Sequence, residues 1–165
     1  MSDSNLPADI VALAQRVVDE NVAAGRKIVL AESCTGGLVA AALTEIPGSS
    51  EVLDRAFVTY SNAAKQADLG VPLDIIDAFG AVSIACAFEM AKGALQRSQA
   101  DVAVAVSGIA GPGGGTDLKP VGTVVFARAI RGEEQPEADE RLFAGESRAG
   151  VRRQAVLCAL ELLLP

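Results

Sequence analysis

The sequence predicts a single α/β domain, a three-layer α/β/α sandwich around a central, mostly continuous mixed sheet. Three observations predict it. Short β-branched apolar runs alternate with segments of helical periodicity along the chain. Glycine, proline and serine clusters punctuate the junctions, as at Pro47-Gly48-Ser49-Ser50 and Gly70-Val71-Pro72. The 165 residues are half apolar, enough for one real core, yet only 4% are aromatic and none is Trp. Such a core must be built from Ala, Val, Leu and Ile.

The elements follow in order. Ile10, Ala14, Val17, Val18 and Val22 recur at helical spacing, predicting a first helix over Pro7 to Ala24 with Gly25 as its stop. Lys27 to Glu32 reads as a short strand. A second helix is expected from about Thr35 to the Pro47 turn. Leu53 to Ser61 holds Phe57, Val58, Thr59 and Tyr60 and reads as a strand. Ser61 or Asn62 is placed to cap a short helix through Lys65 to Leu69. Ser83 to Arg97 carries an apolar stripe of Ile84, Ala87, Phe88, Ala91, Ala94 and Leu95. Asp101 to Ser107 is a buried-strand run, Gly108 to Thr116 a glycine-rich loop and Val121 to Ile130 another strand. Glu137 to Phe143 suits an edge strand, and Arg148 to Leu164 closes the chain as a helix. Residues 1–6 are expected to be a flexible tail and 7–165 one domain, with no repeat and no linker.

The bulk numbers exclude several classes. Fourteen basic against 21 acidic residues give a formal charge of −7, the wrong sign for a nucleic-acid surface. An anionic ligand must then be held locally, by arginine, lysine or helix N-termini. Three separated cysteines, Cys34, Cys86 and Cys158, and no histidine at all leave no zinc-like ligand set. The cysteine count and a polar start without a signal-peptide pattern suit a cytoplasmic protein. No apolar stretch reaches membrane-spanning length.

Three polar clusters interrupt apolar strands at their carboxyl ends. They are Glu32-Ser33-Cys34-Thr35-Gly36-Gly37, Thr59-Tyr60-Ser61-Asn62 with Lys65, and Ser107-Gly108-Ile109-Ala110-Gly111-Pro112. If the three strands are neighbours, the clusters meet in one crevice, where open α/β sheets bind ligands. Ser33 is placed at a strand-to-helix junction, near helix amides that favour negative charge. In a chain without imidazole, its proton would have to go to a lysine, a tyrosine or a carboxylate. Bland readings stand beside these. Ser33 suits a helix cap and Cys34 a small buried apolar residue. Tyr60 suits a rim residue, Lys65 a solvated lysine, and Arg148, Arg152 and Arg153 solubilising charges. Tyr60 and Lys65 are out of phase on one helix and converge only if the chain turns between them. The Gly-x-Ser-x-Gly elbow, the dinucleotide fingerprint and the P-loop are all absent.

Taken in order, these clusters, with Gly80-Ala81-Val82-Ser83 and Lys119-Pro120-Val121-Gly122-Thr123-Val124, strongly resemble the CinA C-terminal domain family of nicotinamide-nucleotide amidohydrolases. The resemblance runs from about Ala8 to Leu164, and the length suits a stand-alone member. It implies a CinA C-terminal-like fold. It also implies hydrolysis of the carboxamide of nicotinamide mononucleotide to nicotinate mononucleotide and ammonia, within pyridine nucleotide recycling. Ser33 would be the nucleophile, with Tyr60 and Lys65 as proton-transfer partners and Glu32 a remaining candidate base. Amides around Thr35, Gly36 and Gly37 would hold the oxyanion. Asn62 would contact substrate, and Ser107, Gly108, Gly111 and Arg148 are candidates for the phosphate. No metal or organic cofactor is implied, and a homodimer or higher oligomer is. Two other readings share the residues: a nucleotide-binding module without turnover, and a serine amidase for another small amide.

Overall fold

The structure, a computed structural model, describes residues 3–165. Six helices and five strands follow in the order α1 (Ala8–Ala24), β1 (Ile28–Glu32), α2 (Leu38–Thr44), β2 (Leu53–Val58), α3 (Asn62–Leu69), α4 (Leu73–Phe79), α5 (Ile84–Gln96), β3 (Val102–Gly108), β4 (Thr123–Ile130), β5 (Glu137–Leu142) and α6 (Arg148–Leu162). The sheet order is β2-β1-β3-β4-β5. The first three strands are parallel; β4 and β5 are added antiparallel. This is the mixed α/β/α sandwich that the alternation of elements predicts.

Period-two alternation sorts the strand side chains between two cores. Ile28, Leu30, Val102, Val104, Val106, Val124 and Phe126 pack on one face against α1, α2 and α6. Val29, Ala31, Ala103, Ala105, Val125, Ala127 and Ala129 pack on the other against α5 and the segment from Leu69 to Ile76. The second face is mostly alanine, so α5 lies close to the sheet, and its own buried side chains are also small: Cys86, Ala87, Ala91 and Ala94, with Met90 filling the gap. This is how a chain with so few aromatics closes a core.

The differences from expectation have local causes. The second helix begins at Leu38, not Thr35, because Gly36 and Gly37 take positive φ (58° and 99°) and turn the chain first. β2 stops at Val58 and β4 starts at Thr123, after Gly122 at φ 96°. The α5 stripe is rotated: Ile84 is exposed, and Cys86 and Met90 point inward instead. Helix α4 is unforeseen. It buries only Ile76 and exposes Leu73 and Phe79, so it has no readable apolar period. Of the expected flexible tail, residues 1 and 2 lie outside the described residues, while Leu6 packs partly against the first core.

Candidate functional site

The register of the parallel strands builds the site. Glu32, the last residue of β1, is level with Val58 of β2 on one side and Val106 of β3 on the other. The three polar clusters therefore leave the sheet at one edge. Together they border a cleft of about 300 Å³, completed by Ala81, Val82 and the loop after β3.

Ser33 opens this cleft. Its amide donates to Val106 O (3.0 Å), which extends the sheet pairing one residue past β1. Its side chain is nearly buried, yet faces the cleft. The chain then turns through Cys34 to Gly37, with the Gly36 amide bonded to Ser33 O (2.9 Å). The helix-capping role belongs to Glu32. Its carboxylate, fully buried, accepts from Thr35 Oγ1 (2.6 Å) and from the amides of Gly37, Val39 and Ala40 (3.2, 3.0 and 3.0 Å). That satisfies the exposed donors at the start of α2 and complements its dipole. Ser33 is left free of the capping duty that a serine there suggests.

Lys65 reaches Ser33 from α3. After β2 the chain turns at Ser61, whose hydroxyl caps α3 by accepting from the Ala64 amide (3.0 Å). This turn brings position 65 back under position 60. The Lys65 side chain is 1% exposed, not solvated. Its Nζ lies 3.0 Å from Ser33 Oγ, 2.8 Å from Thr59 O and 3.4 Å from Tyr60 O. Burial lowers its pKa from the ordinary 10.5, and only the Cys86 and Cys34 thiols oppose that shift. Among the described residues, no carboxylate compensates the ammonium. Cys34 also borders the cleft, but burial, the largest influence, pushes its thiol up to about 11, which keeps it protonated at neutral pH.

Tyr60 stands at the mouth, 61% exposed. Its phenol oxygen accepts from Arg148 Nη2 (3.0 Å), and Arg148 Nη1 donates to Gly111 O (2.7 Å). The tyrosine hydroxyl is thus engaged by arginine, not by Ser33 or Lys65. Asn62, Gly108 and Gly111 border the cleft, as does Ser107, whose hydroxyl donates to Ala81 O (2.9 Å). Glu32, Thr35, Gly36 and Gly37 do not border it; they form the frame behind Ser33. Among the described residues, the ionisable side chains that border the cleft are Cys34, Tyr60, Lys65 and Arg148, of which Lys65 and Arg148 are basic, in a protein of charge −7. An anionic ligand is favoured there.

The sequence assigned no role to Val82, Ile109 and Ala110, apolar wall residues with no chemical signal, and it suggested only a solubilising charge for Arg152. Arg152 projects from α6 onto the back of the Ser33 turn, donating from Nε to Cys34 O (3.1 Å) and from Nη2 to Thr35 O (3.3 Å). Among the described residues there is no group of three or more Cys, Asp or Glu that could hold a metal, and no helix is long and apolar enough to cross a membrane.

Fold and site together define an α/β protein whose cleft is organised by a buried serine–lysine pair at the carboxyl edge of parallel strands. The chain belongs to the CinA C-terminal domain family, whose model matches residues 10–165. It is 48% identical over 164 residues to the nicotinamide-nucleotide amidohydrolase PncC of Escherichia coli strain K12, covering 99% of this chain and 95% of that protein. It is 51% identical over 138 residues to a CinA-like protein of Akkermansia muciniphila, covering 84% of this chain. It spans only about a third of that longer relative, 33% of its length. A crystal structure of the competence/damage inducible protein CihA from Agrobacterium tumefaciens superposes with a TM-score of 0.94 at 49% identity, covering 97% of this chain and 96% of that one.

Proposed function

We propose that this protein is an amidohydrolase that cleaves the carboxamide of nicotinamide mononucleotide, yielding nicotinate mononucleotide and ammonia. The observation that carries the proposal is the 3.0 Å contact between buried Lys65 Nζ and Ser33 Oγ in a chain with no histidine. The identity to PncC over nearly the whole chain supports the substrate.

A neutral lysine amine has two hydrogens and one lone pair. The carbonyls of Thr59 and Tyr60 take the hydrogens, so the lone pair is aimed at the Ser33 hydroxyl. Lys65 accepts that proton as Ser33 Oγ attacks the carboxamide carbon. The tetrahedral oxyanion needs donors. The Gly36 and Gly37 amides are already spent on Ser33 O and Glu32 Oε1, and Thr35 is fully buried away from the cleft, so the role passes to the Cys34 amide. Lys65 returns the proton to the leaving nitrogen, ammonia departs, and water enters to hydrolyse the acyl-enzyme with Lys65 again as base. Tyr60 moves in this scheme from proton transfer to ligand contact. With Arg148 it borders the basic end of the cleft, where the 5′-phosphate is held together with the loop after β3. No step uses a metal or an organic cofactor.

The test is ammonia release from nicotinamide mononucleotide by the purified, EDTA-treated protein. Release that disappears in Ser33→Ala supports the reading. Ligand binding with no ammonia from any pyridine nucleotide would make the protein a binding module instead.

A further inference from the structure

We infer that Arg152 is a positioning residue for the oxyanion donor beside Ser33, the Cys34 amide. The inference rests on the Ser33 nucleophile reading, not on the identity of the substrate.

Cys34 O and Thr35 O belong to successive peptides, yet both turn toward Arg152, at 3.1 Å from Nε and 3.3 Å from Nη2. Two carbonyl dipoles pointed the same way repel one another; Thr35 O is also held by the Leu38 amide (3.0 Å), and the planar cation with fixed donors holds the two together. The peptides here are trans, the one cis bond among the described residues being Gly111–Pro112. In a trans peptide the N–H points opposite to the C=O. Fixing Cys34 O therefore directs the Thr35 N–H away from Arg152, and fixing Thr35 O does the same for the Gly36 N–H. The Gly36 N–H is consumed by Ser33 O. That bond in turn directs the Cys34 N–H, which shares a peptide with Ser33 O, to the opposite side. The guanidinium thus sets the orientation of the turn from behind. That leaves the Cys34 N–H, the amide of the turn whose residue borders the cleft, as the donor to developing negative charge.

The rest of the turn agrees. Gly36 takes φ 58°, and a Cβ there would sit 3.6 Å from Arg152 Nη2, so the guanidinium is packed against the turn and not waving in solvent. Helix α6 carries Arg148 and Arg152 one turn apart. The first reaches the cleft mouth through Tyr60 and Gly111, and the second reaches the underside of the Ser33 turn. Arg153, the next residue, is paired with Asp9 (2.5 Å) and touches neither.

The experiment uses two readouts. One is turnover of nicotinamide mononucleotide. The other is the rate at which a fluorophosphonate labels Ser33, which needs no knowledge of the substrate: Oγ bonds to phosphorus, fluoride leaves and the proton goes to Lys65. Arg152→Gln is expected to slow both labelling and kcat by roughly ten- to a hundredfold with KM little changed, the cost of a mis-set donor. Arg153→Gln is expected to label as wild type. Guanidinium ion at sub-denaturing concentration should restore part of the rate to Arg152→Ala. If Arg152→Gln does not fold, Arg152→Lys gives the same reading: it keeps a charge but loses the two-pronged grip, and its labelling should also slow. Wild-type labelling rates in the folded Arg152 variants would overturn the inference. So would a loss expressed only as a higher KM. Wild-type protein that labels on Ser33 but releases no ammonia would refute the substrate assignment alone and leave the positioning of the turn to be read from labelling. Wild-type protein that never labels on Ser33 would remove the ground for both.

Discussion

At the scale of the residue, the proposed chemistry rests on a buried lysine touching a serine, and burial is its physical basis. Desolvation disfavours the ammonium, so Lys65 gives up its proton at a pH below its ordinary 10.5. The activity should therefore rise with pH through that lowered value, and the rise should vanish in Lys65→Ala. Loss of a general base costs roughly 10²–10⁴-fold in kcat. Lys65→Arg should be nearly as inactive as Lys65→Ala, because arginine stays protonated. Tyr60→Phe should instead act mainly on KM, since its hydroxyl meets Arg148 and not the reacting pair. Steady-state kinetics on the three variants separates these outcomes. Lys65 also links stability to pH. Its folded pKa lies below the unfolded one, so between those two values the unfolded chain binds more protons and the wild type gains stability as pH rises. The stability of Lys65→Met relative to wild type should consequently fall as pH climbs from neutrality toward 10.5, as read by thermal melts across that range.

At the scale of the element, the site depends on how helices begin and how closely they approach. Glu32 satisfies four donors, at Thr35 and at the first amides of α2. Glu32→Ala would strand them in a buried place, at a cost on the order of 3 kcal/mol. Because the turn that α2 pins also carries Ser33, activity should fall at temperatures where the variant is still folded. Circular dichroism alongside an ammonia assay tests both parts. The approach of α5 to α3 is set by Gly93, where a Cβ would overlap the Leu69 carbonyl oxygen. Gly93→Ala gains about 1 kcal/mol of helix propensity but forces the two helices apart. The net effect should be a loss of roughly 2 kcal/mol or more in denaturant melts, and with it a displaced Lys65.

At the scale of the whole molecule, the acidic chain places the Arg148 guanidinium at the mouth of the cleft proposed to take an anion. The cleft holds Lys65 and Arg148 and no carboxylate, while the acidic run around β5 lies on the far, solvated edge of the sheet. Activity is expected to survive exhaustive chelation, and activity lost to EDTA and restored by a divalent ion would contradict the mechanism. The exposed apolar side chains Leu73, Phe79, Ile84 and Leu118 lie on α4, α5 and the loop after β3, a distribution suited to self-association. Light scattering at micromolar concentration should give a multiple of 16.8 kDa.

The sequence by itself determined the architecture and the whereabouts of the candidate site. Hydrophobic periodicity is a local property, so ten of the eleven helices and strands were legible, and the polar clusters stood out where apolar strands end. Short α4 escaped because it buries a single side chain. The absence of histidine narrowed the base for Ser33 to a lysine, tyrosine or carboxylate before any contact was known. Only the tertiary structure shows which of them touches Ser33 Oγ, namely Lys65, and the proposal rests on that contact. Whether Lys65 is solvated or buried, whether Glu32 is a base or a cap, and whether Arg152 faces water or the Ser33 turn each depend on partners distant in the chain: 32 residues separate Lys65 from Ser33 and 118 separate Arg152 from Cys34. No local pattern encodes such distances. The parallel register of β1 between β2 and β3 does, because it lays three chain segments at one edge and lets burial, not residue type, assign their roles.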